Sequence, residues 1–254
     1  MNRETLWRIA VTAASPQIEA EIDYPSSDGE PVAESFVHLY ALLVTLEVLL
    51  QYLEGQRATV LGNQFLYYAQ GFPRLRVAPD VMVIFNVEPG GRDSYKTWEE
   101  GEVPAVVFEM TSKGTREQDQ VFKKTLYEQM GVQEYWLFDP KGEWIEGQLR
   151  GYRLRGETYE PIADGRSEPL KLRLQAEGQL IGFYREDTGE RLLIPTELAA
   201  SLKQETLARQ QAEQQAEQAQ QRAEQEQQRA EQAEAQLEQL KERLRQAGID
   251  PDAG

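Results

Sequence analysis

Residues 105–138 read AVVFEMTSKGTREQDQVFKKTLYEQMGVQEYWLF. The apolar run 105–110 lies between a proline and a Ser-Lys-Gly turn, so it predicts a short buried strand. Residues 116–130 predict a helix that ends at Gly131, and residues 134–138 predict another strand. This order of elements indicates a mixed α/β domain built around a central sheet.

The sequence on either side extends the same domain. Residues 32–53 carry apolar side chains at helical spacing and predict a long helix that ends at Gly55. Residues 88–102 are rich in glycine and charge and predict a loop, whereas residues 143–185 alternate polar and apolar residues and predict a meander of short strands. The remaining predicted strands are 59–61, 64–68 and 80–86, and those of the meander are 143–149, 151–156, 158–162, 170–174 and 180–184.

The composition changes from Leu198 onward to Gln, Glu, Ala, Arg, Lys and Leu. A seam of apolar residues, interrupted at Glu226, steps alternately by four and three residues, which is the pattern of a heptad repeat. Its positions are 212, 216, 219, 223, 226, 230, 233, 237, 240 and 244. We predict a coiled-coil helix over residues 198–247, between a domain of residues 1–197 and a disordered tail of residues 248–254. A solvated single helix supported by Glu/Arg pairs four residues apart is the alternative.

The composition excludes several kinds of site. Cysteine is absent, which excludes disulfides and thiolate metal sites and is typical of a reducing, cytoplasmic setting. His38 is the single histidine, so multi-histidine zinc sites are excluded. No run of about 18 apolar residues predicts a membrane span. The net charge is −16, so a nucleic-acid substrate would require a local basic patch and a divalent metal.

Two carboxylates stand at the ends of predicted apolar strands. Asp80 begins the run DVMVIFN, and Glu109 lies near the end of AVVFEM. A charged side chain in such a place is costly unless it is paired or binds a metal, and carboxylates on neighbouring strands suit Mg²⁺. The alternative is structural: Asp80 caps its strand, and Glu109 pairs with Arg76 or Lys113.

Several motifs occur together over about residues 20–140. They are Tyr24-Pro25-Ser26-Ser27-Asp28-Gly29, then Glu34 and His38, Pro79-Asp80, Val106-Val107-Phe108-Glu109-Met110-Thr111-Ser112, and Asp119-x-x-x-Lys123-x-x-x-Tyr127-x-x-x-Gly131-Val132-x-Glu134-Tyr135-Trp136. In combination they resemble the Uma-type family of putative restriction endonucleases, a branch of the PD-(D/E)XK nuclease superfamily. The resemblance implies a restriction-endonuclease-like mixed sheet flanked by helices, and hydrolysis of DNA with Mg²⁺ or Mn²⁺.

The resemblance also implies roles for individual positions. Asp80 and Glu109 match the acidic residues of the first and second superfamily motifs and, with the backbone carbonyl of Met110, would hold the metal. Glu34 would be a helix-borne acid that assists metal binding. His38 is available for proton transfer, although a lone histidine on an apolar helix is more often structural.

The chain departs from the superfamily at its lysine. Thr111 stands two residues after the second acidic residue, where lysine is usual. The resemblance implies that the lysine has moved to the following helix, which points to Lys123 as the catalytic lysine. Asp119, Lys123 and Tyr127 are spaced to share one face of that helix, which could point at the sheet edge. Lys113 is the alternative, since a flexible ammonium from that turn would also reach the attacking water.

The resemblance implies a metal-dependent endonuclease that acts on DNA, and we predict that the chain forms a homodimer through a sheet edge or the coiled coil. Seven basic residues flank the predicted site in sequence and form either a phosphate-facing patch or a scatter of surface charges: Arg74, Arg76, Lys96, Lys113, Arg116, Lys123 and Lys124. The alternative function is a catalytically silent nuclease-like scaffold that binds partners through its coiled coil. The acidic charge and the missing lysine favour that alternative.

Overall fold

The computed structural model of the protein describes residues 22–29 and 35–247. Within these residues the chain divides into two compact units at the Ile194–Pro195 bond. The first unit contains the sheets, and the second is a single long helix. The predicted acid Glu34 and the predicted tail of residues 248–254 lie outside the described residues.

In the described residues the first unit begins with a helix, its other helical segments lie on either side of the strand Val106–Met110, and one of these segments has π-helical geometry. In chain order the elements are α1 Phe36–Tyr52, β1 Ala58–Leu61, β2 Phe65–Tyr67, β3 Arg76–Val77, β4 Val81–Phe85, β5 Ser94–Lys96, α2 Thr97–Glu100, β6 Val106–Met110, the π-helical segment Gln118–Lys123, α3 Lys124–Met130, β7 Glu134–Phe138, β8 Leu149–Arg155, β9 Thr158–Ile162, β10 Arg166–Ser167, β11 Leu172–Glu177, β12 Leu180–Arg185 and α4 Pro195–Gln246.

Six strands form the central sheet in the order β1-β4-β6-β7-β8-β9. β6 and β7 pair in parallel, and the other neighbours pair antiparallel. A parallel pair needs a crossover connection, which the π-helical segment and α3 supply between β6 and β7. Two small sheets, β10-β11-β12 and β3-β2-β5, complete the unit. The prediction of a mixed α/β fold with a central sheet flanked by helices is confirmed.

One face of the central sheet is covered by α1 and the β10-β11-β12 sheet. The apolar side of α1, including Leu42 and Leu49, packs on alternate residues of β4 and β6. Phe183 of β12 meets Phe108 of β6 edge to face, with ring centroids 6.0 Å apart. This side is a dry core, and burial of its aliphatic and aromatic side chains provides most of its stabilisation.

The other face is covered by α3 and the β3-β2-β5 sheet, and it is rich in tyrosine. The ring centroids of Tyr127 and Tyr135 lie 5.1 Å apart. Tyr159 packs beside Tyr135 and donates its hydroxyl hydrogen bond to the carbonyl of Val132 at 2.9 Å. A buried tyrosine adds apolar area but brings a hydroxyl that must be satisfied. This face therefore combines an apolar core with polar groups, and the candidate site lies on it.

Two of the predicted elements are wrong. Residues 88–102 are not only a loop, because they contain the strand Ser94–Lys96 and the helix Thr97–Glu100. Parallel pairing with β2 holds that strand, and this tertiary contact overrides the local composition. Residues 143–149 are mostly turn instead of strand, since the carboxylate of Asp139 accepts two of their backbone amides at 2.7 and 3.1 Å.

The second unit is α4, a helix of 52 residues without a buried side chain. Leu237 and Leu240 of the predicted seam are 53% and 56% exposed. The long C-terminal helix is thus confirmed, and its assembly into a coiled coil stays a prediction. Among the described residues, no helix has the length and apolar character needed to cross a membrane.

Candidate active site

Asp80 and Glu109 lie side by side on neighbouring strands. β4 and β6 pair antiparallel with Val81 opposite Phe108, so the same register carried one residue further places Asp80 opposite Glu109. Residues opposite each other in an antiparallel pair project from the same face. The backbone amide of Met110 donates to Oδ2 of Asp80 at 2.6 Å, which fixes that carboxylate against the end of β6. Both acids are buried.

Lys123 reaches this pair of acids from the π-helical segment. Its Nζ donates to Oε2 of Glu109 at 2.7 Å and lies 3.4 Å from Oδ1 of Asp119. The hydroxyl of Tyr127 donates to Oε1 of Glu109 at 2.8 Å. The sequence placed Asp119, Lys123 and Tyr127 on one helix face, and the structure directs all three side chains to the same buried cluster.

Lys113 and Arg76 do not take part in this cluster. Lys113 is exposed in the turn after β6. The guanidinium of Arg76 lies 4.2 Å from the ring centroid of Phe65. The structural alternative, in which Glu109 pairs with Lys113 or Arg76, is therefore wrong, because the cation that pairs with Glu109 is Lys123.

Asp119 connects Lys123 to Thr111. The hydroxyl of Thr111 donates to Oδ2 of Asp119 at 2.8 Å. Tyr135 donates its hydroxyl hydrogen bond to the backbone carbonyl of Asp119 at 3.0 Å. Short π-helical stretches are frequent at functional sites. Thr111 thus holds the acid that contacts the ammonium of Lys123.

His38 approaches the cluster from α1. Its Nε2 lies 3.5 Å from Oδ2 of Asp80, and its side chain is 16% exposed. The first turn of α1 is capped by Ser35, whose hydroxyl oxygen accepts the backbone amide of His38 at 3.4 Å. The predicted partner on this helix, Glu34, lies outside the described residues.

Burial controls the charge of the cluster. Burial raises the pKa of Glu109 to about 8, Lys123 opposes this shift, and Asp80 and Asp119 add to it. Burial also acts to lower the pKa of Lys123, but the surrounding carboxyl groups outweigh it and raise that pKa above its ordinary value. Burial and the neighbouring Glu109 raise the pKa of Tyr127, so its hydroxyl stays a donor. Lys123 therefore keeps its positive charge at neutral pH.

The acids of this cluster fit a divalent cation that takes few protein ligands. Among the described residues, no three His, Asp or Glu side chains are arranged to hold a metal ion by themselves. Mg²⁺, however, usually binds one or two carboxylates and completes its shell with water and phosphate oxygens. Glu109 and Asp119 face the ammonium of Lys123, Asp80 lies beside Glu109, and each ionised carboxylate has about four lone-pair sites. Asp80 and Glu109 therefore offer acceptor oxygens to a cation, and because the raised pKa of Glu109 favours its protonated form at neutral pH, a bound cation would displace that proton.

The basic residues that flank the site in sequence do not form one continuous surface of uncommitted charge. Lys96 pairs with Glu99 at 3.1 Å, and Nζ of Lys124 lies 4.6 Å from the ring centroid of Tyr152. The exposed members of the set are Arg74, Lys113 and Arg116. A phosphate group near the site would therefore meet Lys123 and a small number of exposed cations.

Sequence reasoning missed part of the site's support. The spacing of Asp119, Lys123 and Tyr127 predicted that Tyr127 shares their helix face. Nothing in the sequence showed that the hydroxyl of Tyr127 contacts Glu109. The link from Tyr135 to the backbone of Asp119 has no sequence signal, because it depends on the distance between β7 and the π-helical segment.

Comparison with known proteins places the chain in a family. Residues 13–181, more than half of the chain, match the sequence model of the Uma2 family, described as a putative restriction endonuclease. A solved structure of a putative DUF820 nuclease from Anabaena variabilis is 18% identical, with a TM-score of 0.38, over 54% of this chain and 72% of that chain. No curated protein matches. The predicted resemblance is confirmed: the chain belongs to the Uma2 family of putative restriction endonucleases.

Proposed function

We propose that the protein is a metal-dependent endonuclease that hydrolyses phosphodiester bonds of DNA. The observation that carries this proposal is the ammonium of Lys123, held at 2.7 Å from Glu109 and at 3.4 Å from Asp119. A fixed cation among several carboxyl groups is well suited to a reaction that gathers negative charge on a phosphate. Membership of a nuclease family supports the same reaction class.

Each residue of the cluster has a distinct task in this proposal. Asp80, Glu109 and the backbone carbonyl of Met110 would hold Mg²⁺ or Mn²⁺. Such a cation, when bound, would lower the pKa of a water molecule and offset charge on the phosphate. Lys123 would orient the attacking water or a phosphate oxygen through its ammonium hydrogens. Tyr127 would hold Glu109 in position, because its hydroxyl is a donor to Oε1.

The acidic charge of the chain makes the cation central to substrate binding. The net charge is −16, and the cluster itself contains more acids than bases. A DNA phosphate would be repelled from such a site unless a divalent cation offsets the carboxylates. We therefore expect binding as well as cleavage of DNA to depend on the metal.

A cleavage assay tests the proposal. Supercoiled and linear DNA are incubated with the full chain and either Mg²⁺ or Mn²⁺, and products are resolved on gels. We expect cleavage by the wild type, and a loss of about 10²- to 10⁴-fold in Lys123→Met, the range for removal of a proton-transfer or charge-stabilising group. The matched control is Lys113→Met, which removes an exposed lysine and should cleave like the wild type. Equal activity of the wild type and Lys123→Met would contradict the proposal.

The second candidate function is a catalytically silent scaffold that binds partners through α4. The acidic charge and the scarcity of uncommitted basic residues near the site favour it. No cleavage with either metal, together with no Mn²⁺ effect on the melting temperature, would favour this scaffold over the enzyme. A homodimer formed through α4 or a sheet edge is compatible with both functions. A cytoplasmic location is proposed from the absence of cysteine.

A further inference from the structure

The seam of α4 continues to the beginning of the helix. Stepping back from residue 212 by three and four residues alternately reaches Arg209, Glu205, Leu202 and Leu198. Leucines therefore occupy both ends of the seam and alanines occupy most of its middle. Leu202 is 63% exposed, and the described part of the chain buries no side chain of α4. Three charged residues lie on this otherwise apolar line: Glu205, Arg209 and Glu226.

A parallel dimer would place these charges against themselves. In a parallel, in-register coiled coil every seam residue faces the same residue of the second helix. Glu205 would then face Glu205, Arg209 would face Arg209, and Glu226 would face Glu226. Like charges in the seam repel and must also lose water, so each of these contacts disfavours the parallel arrangement.

An antiparallel dimer can match the charges instead. When Arg209 lies opposite Glu226 of the second copy, symmetry places Glu226 opposite Arg209, so the dimer contains two ion pairs and each of the four charges has one partner. The same register places Ala212 opposite Ala223, and Ala216 opposite Ala219, in the middle of the coil. Small alanines allow close approach of two helices, which excludes water from the flanking ion pairs.

The leucines of the seam agree with this register only in part, because Leu240 lies opposite Pro195 and Leu244 lies beyond the start of α4 in the second copy. Leu198 lies opposite Leu237 of the second copy, which buries a leucine pair at each end. The third charge, Glu205, lies opposite Ala230 and next to Arg229 of the second copy. Every charged position of the seam therefore has an oppositely charged residue opposite or adjacent to it.

An antiparallel register shifted by one heptad would bury more leucine but match fewer charges. It would place Leu202 opposite Leu240 and so bury more leucine, but Arg209 and Glu226 would then face alanines. Arg222, which flanks the seam, would face Arg222 of the second copy. In the shifted register Glu205 would face Leu237 and Glu226 would face Ala216, with no basic residue beside either, so the dimer buries four unmatched charges, although Arg209 keeps Glu234 of the second copy beside it. The shifted register also adds the like-charge contact of Arg222.

We propose that α4 binds a second copy of this chain in an antiparallel coiled coil, with Arg209 of each chain opposite Glu226 of the other. The occupant of this helix face is the same helix of another molecule, because the charges along the seam complement their own reversed order. At about 1.5 Å per residue, the two Pro195 residues lie about 68 Å apart, so the chains enter the coil at opposite ends. The proposal does not depend on nuclease activity.

Cysteine cross-linking in the full chain tests orientation and register, because the natural chain has no cysteine. We expect Leu202→Cys mixed with Ala233→Cys to form a disulfide-linked dimer under mild oxidation. Leu202→Cys alone should not cross-link, because the two copies of residue 202 lie about 46 Å apart in the antiparallel register. Cross-linking of Leu202→Cys with itself would overturn the orientation, and preferential cross-linking of Leu202→Cys with Leu240→Cys would overturn the register.

Charge exchange gives an independent test by sedimentation of the full chain. We expect Arg209→Glu and Glu226→Arg each to raise the dimer dissociation constant by about tenfold or more, the range of a buried ion pair. The double variant should restore the wild-type value. Lys203→Glu is the matched control, because it changes the net charge equally at an exposed position off the seam. Failure of the double variant to restore dimerisation, or a monomeric wild type at high micromolar concentration, would overturn the proposal.

Discussion

Glu109 and Glu134 are buried carboxylates on the neighbouring strands β6 and β7, yet their surroundings differ. The carboxylate oxygens of Glu134 accept three hydrogen bonds. The donors are the guanidinium of Arg153 at 2.8 Å, the backbone amide of Glu168 at 3.0 Å and the indole N–H of Trp136 at 3.1 Å. These donors are held by packing and backbone, and the arginine has a planar fork that suits a carboxylate. Glu134 is therefore matched by fixed donors on both oxygens.

Glu109 is instead held by a lysine and a tyrosine and is crowded by other acids. Burial raises its pKa to about 8, and Asp80 and Asp119 add to that shift against the effect of Lys123. A lysine ammonium is a compact charge on a flexible stem, so it can rearrange when a substrate or cation arrives. The comparison teaches that burial of an acid does not by itself indicate function. An excess of acids around a single buried lysine is the more specific sign.

The matched truncations Glu109→Ala and Glu134→Ala should separate the two roles, with the largest effects we expect. Glu134→Ala leaves the mostly buried Arg153 without this partner, which should lower the free energy of unfolding by about 3–5 kcal/mol. Glu109→Ala should be more stable than Glu134→Ala, because it removes the repulsion between Glu109 and the neighbouring Asp80 and Asp119. Cleavage of DNA by Glu109→Ala should nevertheless fall by about 10³-fold.

Chemical denaturation and cleavage per folded molecule, measured on the same preparations, would check this separation. The comparison fails if Glu134→Ala is as stable as the wild type. It also fails if Glu109→Ala cleaves DNA normally.

Binding of Mn²⁺ near Asp80 and Glu109 should raise the melting temperature of the protein. A ligand at a hundred times its dissociation constant stabilises the folded state by about 2.7 kcal/mol, so Mn²⁺ at that excess should raise the melting temperature by several degrees. Asp80→Asn should remove this increase because it removes the negative charge that would hold the cation. Asp93→Asn is the control at an exposed aspartate. An equal increase in both variants, seen by differential scanning fluorimetry, would locate the metal elsewhere.

Asp119→Asn should affect the position of Lys123 without removing a proposed metal ligand. The carboxylate of Asp119 lies 3.4 Å from the ammonium, so its neutralisation weakens the ammonium's second contact. We expect kcat to fall by about 10- to 100-fold, which corresponds to about 1.4–2.8 kcal/mol of transition-state stabilisation. Calorimetric titration should show Mn²⁺ affinity close to that of the wild type. A large loss of Mn²⁺ affinity would instead make Asp119 a metal ligand.

Thr111→Val should have the smallest effect. It removes the hydroxyl that donates to Asp119 at 2.8 Å while it keeps the shape of the side chain. We expect a loss of about 1–3 kcal/mol in the free energy of unfolding, because a buried acceptor loses its donor. Thr158→Val, at an exposed position of β9, is the control for denaturation curves. A Thr111→Val variant as stable as the wild type would show that this hydrogen bond contributes little.

The sequence by itself determined the elements whose pattern repeats locally. The strand predicted over residues 134–138 is β7 with the same bounds, because a short apolar run rich in aromatic residues suits a strand buried on both faces. The helix predicted over residues 116–130 forms and ends at Gly131, whose φ of 82° belongs to the left-handed region. The long helix α4 follows from its composition and period.

Only the tertiary structure decided which groups meet. Asp80 and Glu109 were paired from their places at strand ends, but the contact of Lys123 with Glu109 required the crossover to bring the π-helical segment over β6. The hydrogen bond that the hydroxyl of Thr111 donates to Asp119 likewise depends on that crossover. The physical reason is that periodicity records which face of an element is buried, whereas the partner of a long polar side chain depends on distances between elements that are fixed when they pack.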